Sequence, residues 1–357
     1  MKEFLLGKKL VGESHPPYFI ADIASNHDGD LDRAFKLIEL AKESGADAAK
    51  FQNFKADTIV SKIGFNALGR QLSHQSSWNK SVFETYEDAS LPDEWTPLLK
   101  EKCDEVGIEY LTSPYDIHSV DWADRYVSYF KIGSGDISWS KILHYIASKG
   151  KPVCLATGAA TLDEVSRAVR IITEEEGNSN LVLMQCNTNY TADSDNLKYI
   201  NLKVLSSYAK DFPNVVLGLS DHTKGFATVL GGIALGARVI EKHFTDDNDR
   251  IGPDHKFSTT PDEWRLMVDA SMELFLALGD GVKRIEANES ETSIVQKRSL
   301  YLTKDLTPGS RICVDDLIPL RPRSNDGFEP WEEENLIGKT IKKRIEMGSL
   351  LARSDVG

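Results

Sequence analysis

Cysteine is scarce in this chain. Four occur in 357 residues (Cys103, Cys154, Cys186 and Cys313), scattered and never in a CxxC pair. A disulfide framework or a zinc knuckle is thereby excluded, and a reducing cytoplasm fits. Basic runs are missing too: the formal net charge is −13 with no cationic block, which argues against a nucleic-acid partner. No apolar run is long enough to span a membrane, and the opening MKEFLLGKKLVGESHPP lacks the apolar stretch of a signal peptide. No GxGxxG follows the first strand-like run, so a dinucleotide-binding fold lacks its fingerprint. Low-complexity tracts and internal sequence repeats are absent as well.

What is present is alternation. The composition, 41% hydrophobic and 27% charged, is globular, and a chain of this length buries a large core without staples. Strand-like runs read at 18–24, 48–52, 109–113, 129–133, 152–157, 181–186, 215–219 and 238–242. Amphipathic helical patterns read at 31–44, 92–106, 119–126, 140–148, 162–175, 197–212, 226–235 and 261–278. The stretch 53–90 is too irregular to assign. Strands alternating with helices imply a parallel sheet, and eight such units over this length predict a (β/α)₈ barrel across 1–280, with an open doubly wound sheet as the alternative. Residues 281–297 read as a polar linker, and 298–357, rich in short strands and Pro/Gly turns, as a small β-rich module.

The stretch 218–255, GLSDHTKGFATVLGGIALGARVIEKHFTDDNDRIGPDH, organises the rest. His222 and His243 each follow an apolar run, and one helical segment separates them. On adjacent parallel strands both would project from one sheet edge, as a metal site or a paired-histidine site requires. In a barrel the active site lies at the C-terminal strand ends. Read in order, those ends offer Asp22, Asn26 and His27; Lys50 and Gln52; Thr112 and Ser113; Lys131, Ser134 and Asp136; Thr157; Asn187, Asn189 and Tyr190; Ser220 and Asp221; then Lys242, Asp254 and His255. A lone lysine or serine at a strand end is ordinarily a solvated cap. The joint occurrence is the signal: lysines inside AAKFQ and YFKIGS need anionic partners to be buried. Two lysines and several hydroxyls point to a phosphate or carboxylate ligand, and two histidines to a metal with open positions. Lys50 and Lys131 could instead pair with Asp22 and Glu241, Asp221 could cap a helix, Asp22 could orient a histidine, and Tyr190 could be a loop aromatic without a substrate contact. Lys131 could also form a Schiff base, as aldolases do.

The segments FIADIASNHDGDLDRAFKLIELAKESGADAAKFQ, YFKIGSGD, GLSDHT and VIEKHFTDDNDRIGPDHKFS resemble the sialic acid (N-acetylneuraminate) synthase family, and RSLYLTKDLTPGSRICVDDLIPLRPRSNDGF resembles the antifreeze-like SAF domain attached to those enzymes. The resemblance implies condensation of phosphoenolpyruvate with an N-acetylated sugar aldehyde. It implies a homodimer in which each SAF domain caps the partner's barrel, and a manganese or magnesium ion on His222 and His243. Lys50, Thr112, Lys131, Ser134 and Ser220 match positions that hold phosphoenolpyruvate; Gln52, Tyr190 and Asp254 match positions near the sugar; Arg321 matches an arginine that reaches the N-acyl group from the other subunit. The chain departs from the family pattern in four places. The usual AEIGxNH has Asp22 for its glutamate, which implies that Asp22 is the catalytic acid–base group, one methylene shorter. STG becomes Ala156-Thr157-Gly158, GSGE becomes GSGD at Asp136, and HCTxxYP becomes QCNTNYT. These changes put the acceptor sugar (N-acetylmannosamine, or a diacetamido sugar of the legionaminic or pseudaminic type) in question more than the reaction. A Schiff-base aldolase and a non-catalytic sugar-binding protein are the competing readings.

Overall fold

The computed structural model describes residues 2–190 and 193–357; Thr191, which closes the QCNTNYT segment, lies outside them. The chain divides into two compact units, 1–279 and 280–357.

The first unit is a (β/α)₈ barrel preceded by a hairpin, β1 (Glu3–Leu6) and β2 (Lys9–Gly12). The barrel strands are β3 (Tyr18–Asp22), β4 (Ala48–Asn53), β5 (Glu109–Pro114), β6 (Phe130–Ile132), β7 (Val153–Ala156), β8 (Leu181–Cys186), β9 (Val216–Asp221) and β10 (Val239–His243). They run parallel in the order β5-β4-β3-β10-β9-β8-β7-β6; β5 and β6 lie side by side without a registered ladder and complete the ring. The open-sheet alternative is therefore set aside.

Alternation along each strand sorts two cores. Tyr18, Ile20, Ala48, Leu111, Tyr129, Cys154, Val182, Met184, Val216 and Val239 fill the barrel interior, and Phe4, Leu6 and Val11 of the hairpin join them at its N-terminal end. Phe19, Phe51, Tyr110, Phe130, Leu155, Leu183 and Ile240 face outward against the helices. The hairpin is a plug that the sequence pattern did not reveal, since strands of four residues carry too little periodicity to read. The interior residues nearest the C-terminal strand ends are polar, and that change of character makes the upper barrel a site rather than a core.

Residues 53–90 resolve into short helices, Ala56–Ile59, Lys62–Ala67 and Val82–Ala89, and a 3₁₀ turn, Ser73–Ser77. Helix Val82–Ala89 starts on a capping box in which Ser81 and Glu84 satisfy each other's backbone N–H. Such short helices have no long amphipathic period, which is why the stretch reads as irregular. In the second unit β11 (Ser299–Leu302) pairs antiparallel with β12 (Leu317–Leu320), and isolated bridges complete a small β-rich body. Its own core includes Leu300, Leu302, Ile312, Phe328, Ile341 and Leu351. No helix among the described residues is long and apolar enough to cross a membrane.

Candidate active site

Strand register places three site residues in one row across adjacent strands: His243 of β10 opposite Asp22 of β3, and Asp22 opposite Lys50 of β4. All three point inward and are buried. Lys50 Nζ lies 2.5 Å from Asp22 Oδ2, and His243 Nε2 lies 3.6 Å from the same oxygen. One layer deeper, Glu241 sits between the two lysines, 3.1 Å from Lys131 Nζ and 4.0 Å from Lys50 Nζ, and accepts a 3.1 Å hydrogen bond from Ser220. Burial opposes charge on both partners, yet the attraction wins: Glu241 falls to about 2 because Lys131 and Lys50 flank it, and Lys131 is held above its ordinary value chiefly by Glu241. The lysines therefore do pair with Asp22 and Glu241. This is a compact array of two cations and two anions, with one carboxylate oxygen, Glu241 Oε2, left without a hydrogen bond. An anionic ligand can exchange into such an array, because each ammonium keeps donors beyond its one carboxylate.

The histidines lie above this layer with ring centroids 5.4 Å apart. His222 donates from Nδ1 to the Asn187 carbonyl at 2.9 Å, which leaves Nε2 as its free nitrogen. Burial and the neighbouring His243 depress His222 to about 3, so it is neutral across the working pH range. His243 Nδ1 is buried with no hydrogen-bond partner. Two facing imidazoles, that of His222 neutral and that of His243 with an orphaned buried nitrogen, fit a divalent metal with open positions. No group of three or more His, Cys, Asp or Glu is placed to hold an ion among the described residues, so protein donation would stop at two.

Beside His243 opens a cavity of about 150 Å³, lined by Ser25, Gln52, His243, Asp254 and Tyr190 and, from the 53–90 segment, by Phe54, His74, Trp78 and Tyr86. The Tyr190 ring packs on His222 at 4.2 Å between centroids, so it is part of the site wall. Asp254 accepts a 2.6 Å hydrogen bond from the Ser25 hydroxyl. The loop that carries Asp254 is pinned by His255, whose Nε2 meets Asp28 at 2.8 Å and whose Nδ1 meets the Thr245 hydroxyl at 2.7 Å. Asp136, on the 3₁₀ turn after β6, is pushed up to about 6 by burial, with Lys131 opposing.

Two residues expected in the site point away from it. Thr112 follows the inward Leu111 and so faces the helix layer, where its hydroxyl donates to Asn53 Oδ1 at 2.6 Å. Thr157 likewise follows the inward Ala156 and lies between the Met184 carbonyl and the Tyr208 hydroxyl, at 2.9 and 3.0 Å. The inward hydroxyl on β5 is Ser113, whose Oγ is buried without a partner. Asn187 contributes its carbonyl to His222, while its side chain caps its own loop by accepting from the Asn189 N–H. Ser134 is buried and accepts from the Gly158 N–H at 2.9 Å; a Cβ at Gly158 would come within 2.4 Å of Thr188 Cγ2, so only glycine brings that N–H so close. Asp221 neither caps a helix nor faces the cavity: it forms a buried pair with Lys242 at 2.6 Å, held by the Thr223 and Thr228 hydroxyls. His27 is packed edge-on against Trp95 and is not in the site. Arg321 belongs to the second unit, where it is exposed. The strand-end reading offered Ser113 without a ligand role and Glu241 only as an alternative lysine partner, and it missed Cys186, whose Sγ lies 3.9 Å from His222 Nδ1. The signal for all three was inward parity with Lys50, Lys131 and His243.

A (β/α)₈ barrel with buried lysine–carboxylate pairs beneath two histidines at its C-terminal mouth defines a barrel enzyme. Residues 37–283 match the NeuB family, and the chain belongs to it. It is 36% identical to an N,N'-diacetyllegionaminic acid synthase of Legionella pneumophila over 97% of this chain and 96% of that one. It is 35% identical to a pseudaminic acid synthase of Campylobacter jejuni over 95% of this chain and 96% of that one. Among solved structures, the N-acetylneuraminic acid (sialic acid) synthetase of Leptospira borgpetersenii superposes with a TM-score of 0.71 at 27% identity, covering 82% of this chain and 95% of that one.

Proposed function

We propose that this protein is a nonulosonic acid synthase. It condenses phosphoenolpyruvate with an N-acylated amino-sugar aldehyde and releases a nine-carbon 2-keto-3-deoxy sugar acid and phosphate. The observation that carries the reading is the row His243–Asp22–Lys50 above the Lys131–Glu241 pair, in a chain of the NeuB family. Lys50 and Lys131 hold the anionic groups of phosphoenolpyruvate, with the Ser113, Ser134 and Ser220 hydroxyls lining the same space. Gln52, Tyr190 and Asp254 hold the acceptor so that its aldehyde carbon faces C3 of the enolpyruvate. His222 and His243 would hold a divalent metal, manganese or magnesium, which when bound supplies Lewis-acid polarisation of a carbonyl.

C3 attacks the aldehyde carbon, the new C–C bond forms, and the aldehyde oxygen takes a proton from solvent. Positive charge develops at C2, next to the phosphate-bearing oxygen. Water adds at C2 and gives up a proton to Asp22, whose Oδ2 lies against Lys50. The C2–O bond to phosphate then breaks, the proton of the new C2 hydroxyl leaves with the phosphate, and the ketone remains. The side chain of Asp22 is shorter than glutamate, and the Ala24 N–H holds its Oδ1 at 3.1 Å. The second unit is read as a SAF-like cap, presented by one subunit of a homodimer to the partner's barrel, with Arg321 on the acceptor's acyl group.

The test is incubation with phosphoenolpyruvate, manganese and a panel of N-acylated hexoses, with phosphate and 2-keto acid measured. With ¹⁸O in the bridging position of phosphoenolpyruvate, the label must leave in phosphate. No phosphate from any acceptor, or release unaffected by EDTA, overturns the reading. His222→Ala and His243→Ala should each abolish manganese binding followed by electron paramagnetic resonance, independently of turnover. A Schiff-base aldolase using Lys131 is disfavoured by its pairing with Glu241, since an amine must lose its proton to attack. Borohydride should therefore trap no pyruvate adduct.

A further inference from the structure

A second cavity, of about 220 Å³, opens at the N-terminal end of the barrel and shares no lining residue with the one at the mouth. Val216 and Leu217 at the start of β9 line it, as does Arg238, the residue before β10. Phe212, Pro213, Val215 and Leu235 extend its apolar wall, and its charged residues are Lys2, Glu13 and Arg238. Among the described residues four lysine or arginine side chains are buried: Lys50, Lys131, Lys242 and Arg238. The three lysines each face a carboxylate, whereas Arg238, only 6% exposed, pairs with none among the described residues. Its Nε donates to the Glu13 carbonyl at 2.9 Å, and its Nη1 to the Ile233 and Ala237 carbonyls at 3.0 and 2.8 Å. The guanidinium carbon also lies 5.3 Å from the centroid of the Phe275 ring. These contacts fix the group at the end of helix Ala227–Ala234 and leave the two donors of Nη2 without a hydrogen bond among the described residues.

We propose that this cavity binds a small monocarboxylate with an apolar body, its carboxylate on Arg238 Nη2 and near Lys2, its body against Phe212 and Leu235. Carbonyls return only partial charge to a buried cation; an anion compensates it in full. Burial depresses the Arg238 pKa, and the exposed Glu13 carboxylate, which does not bond it, opposes this only in part. Lys2 is also without a carboxylate partner among the described residues: its ammonium meets the Ser179 carbonyl, and burial lowers its pKa. Two cations beside an apolar wall match the two ends of an amphipathic carboxylate. The charge of Glu13 disfavours a dianion such as phosphate. The volume lies below that of drug-sized sites, which limits the body to a short branched chain or a single ring.

The test is calorimetric titration of the full chain with 4-methylpentanoate, 4-methylpentanamide and inorganic phosphate, repeated in excess phosphoenolpyruvate to separate this site from the barrel mouth. The carboxylate should bind at one site per chain, the amide and phosphate at least about tenfold more weakly, and phosphoenolpyruvate should not displace it. Ala209 is exposed on its helix and lines the cavity. Ala209→Glu should therefore weaken carboxylate binding about tenfold without moving the thermal midpoint, and Arg238→Lys, which removes Nη2, should weaken it as well. No saturable binding of the carboxylate below about 10 mM overturns the proposal. So does an amide or phosphate bound as tightly, displacement by phosphoenolpyruvate, or unchanged affinity in Ala209→Glu. If either variant unfolds, the three ligands on the wild type decide the matter.

Discussion

Glu241 is the residue on which the buried charges turn. It faces both lysines, and its Oε1 carries both the Lys131 pair and the Ser220 hydrogen bond. Replacing it with glutamine leaves a fully buried ammonium without its counter-ion, a loss of about 3–5 kcal/mol when one partner of a buried pair is removed. Glu241→Gln should therefore lower the thermal midpoint by roughly 5–15 °C. Phosphoenolpyruvate should recover more of that loss than the shift it gives the wild type. An unchanged midpoint would show that the lysines do not depend on this carboxylate. Asp136 supplies the pH test. Burial pushes its folded pKa up to about 6, above the ordinary aspartate range, so its ionisation opposes folding. The sign is the reverse of a salt-bridged carboxylate: stability is lost as pH rises through that window. Asp136→Asn should stabilise the protein at pH 7.5 in urea titrations, with the gain shrinking as pH falls toward 4, the foot of the window. A gain that is independent of pH would place its cause elsewhere.

At the scale of elements, the site is held by stitches between loops rather than by the strands alone. The loop after β10 is tied to the loop after β3 by His255–Asp28 and by Asn26 on the Phe244 carbonyl, and to the first turn of the following helix by Arg33, bidentate on Asp246 at 2.9 and 2.6 Å. Asp254 rides on this loop and reaches Ser25. His255→Ala removes a fully buried imidazole with both nitrogens bonded. It should raise KM for the acceptor by about tenfold through the misplaced Asp254 and leave KM for phosphoenolpyruvate unchanged. Limited trypsinolysis after the exposed Arg250 should quicken selectively. Faster cleavage at every basic site would instead mean general unfolding. The helices of 53–90 work differently: too short to be stable alone, they are held by the rings of Phe54, Trp78 and Tyr86, which also form the cavity wall.

At the scale of the whole molecule, the two units have separate cores, so each can be tested alone. A chain ending at Gly279 should fold with a cooperative thermal transition yet lose most activity, if the second unit caps a partner's barrel. The sharper experiment mixes two inactive variants. Asp22→Asn is aimed at the barrel and Arg321→Ala at the cap; if the protein is a dimer with exchanged caps, as proposed, one barrel of a mixed dimer keeps its own Asp22 and receives an intact Arg321. Activity should reappear on mixing, toward about one active site in four by random reassortment of subunits. No recovery, with mixed dimers present by mass spectrometry, would remove the cap from the mechanism.

The sequence alone was enough for the architecture, because alternating short apolar runs and amphipathic helices leave a parallel barrel as the economical solution. It also pointed to a candidate site at the strand ends, through lysines and histidines too polar to be plain core. It did not settle which side of a strand each residue faces. In a strand the side chains alternate, so a shift of one residue exchanges core, site and helix layer. Thr112 and Ser113 are adjacent in the chain and lie on opposite faces, and Thr157 points to Tyr208 rather than to substrate. Parity is set only by packing, once Leu111 and Cys154 have taken their places inside the ring. The counter-ions of the lysines were decided in the same way, by strands far apart in sequence that the barrel brings into register: His243 beside Asp22, Asp22 beside Lys50, and Glu241 between two ammonium groups.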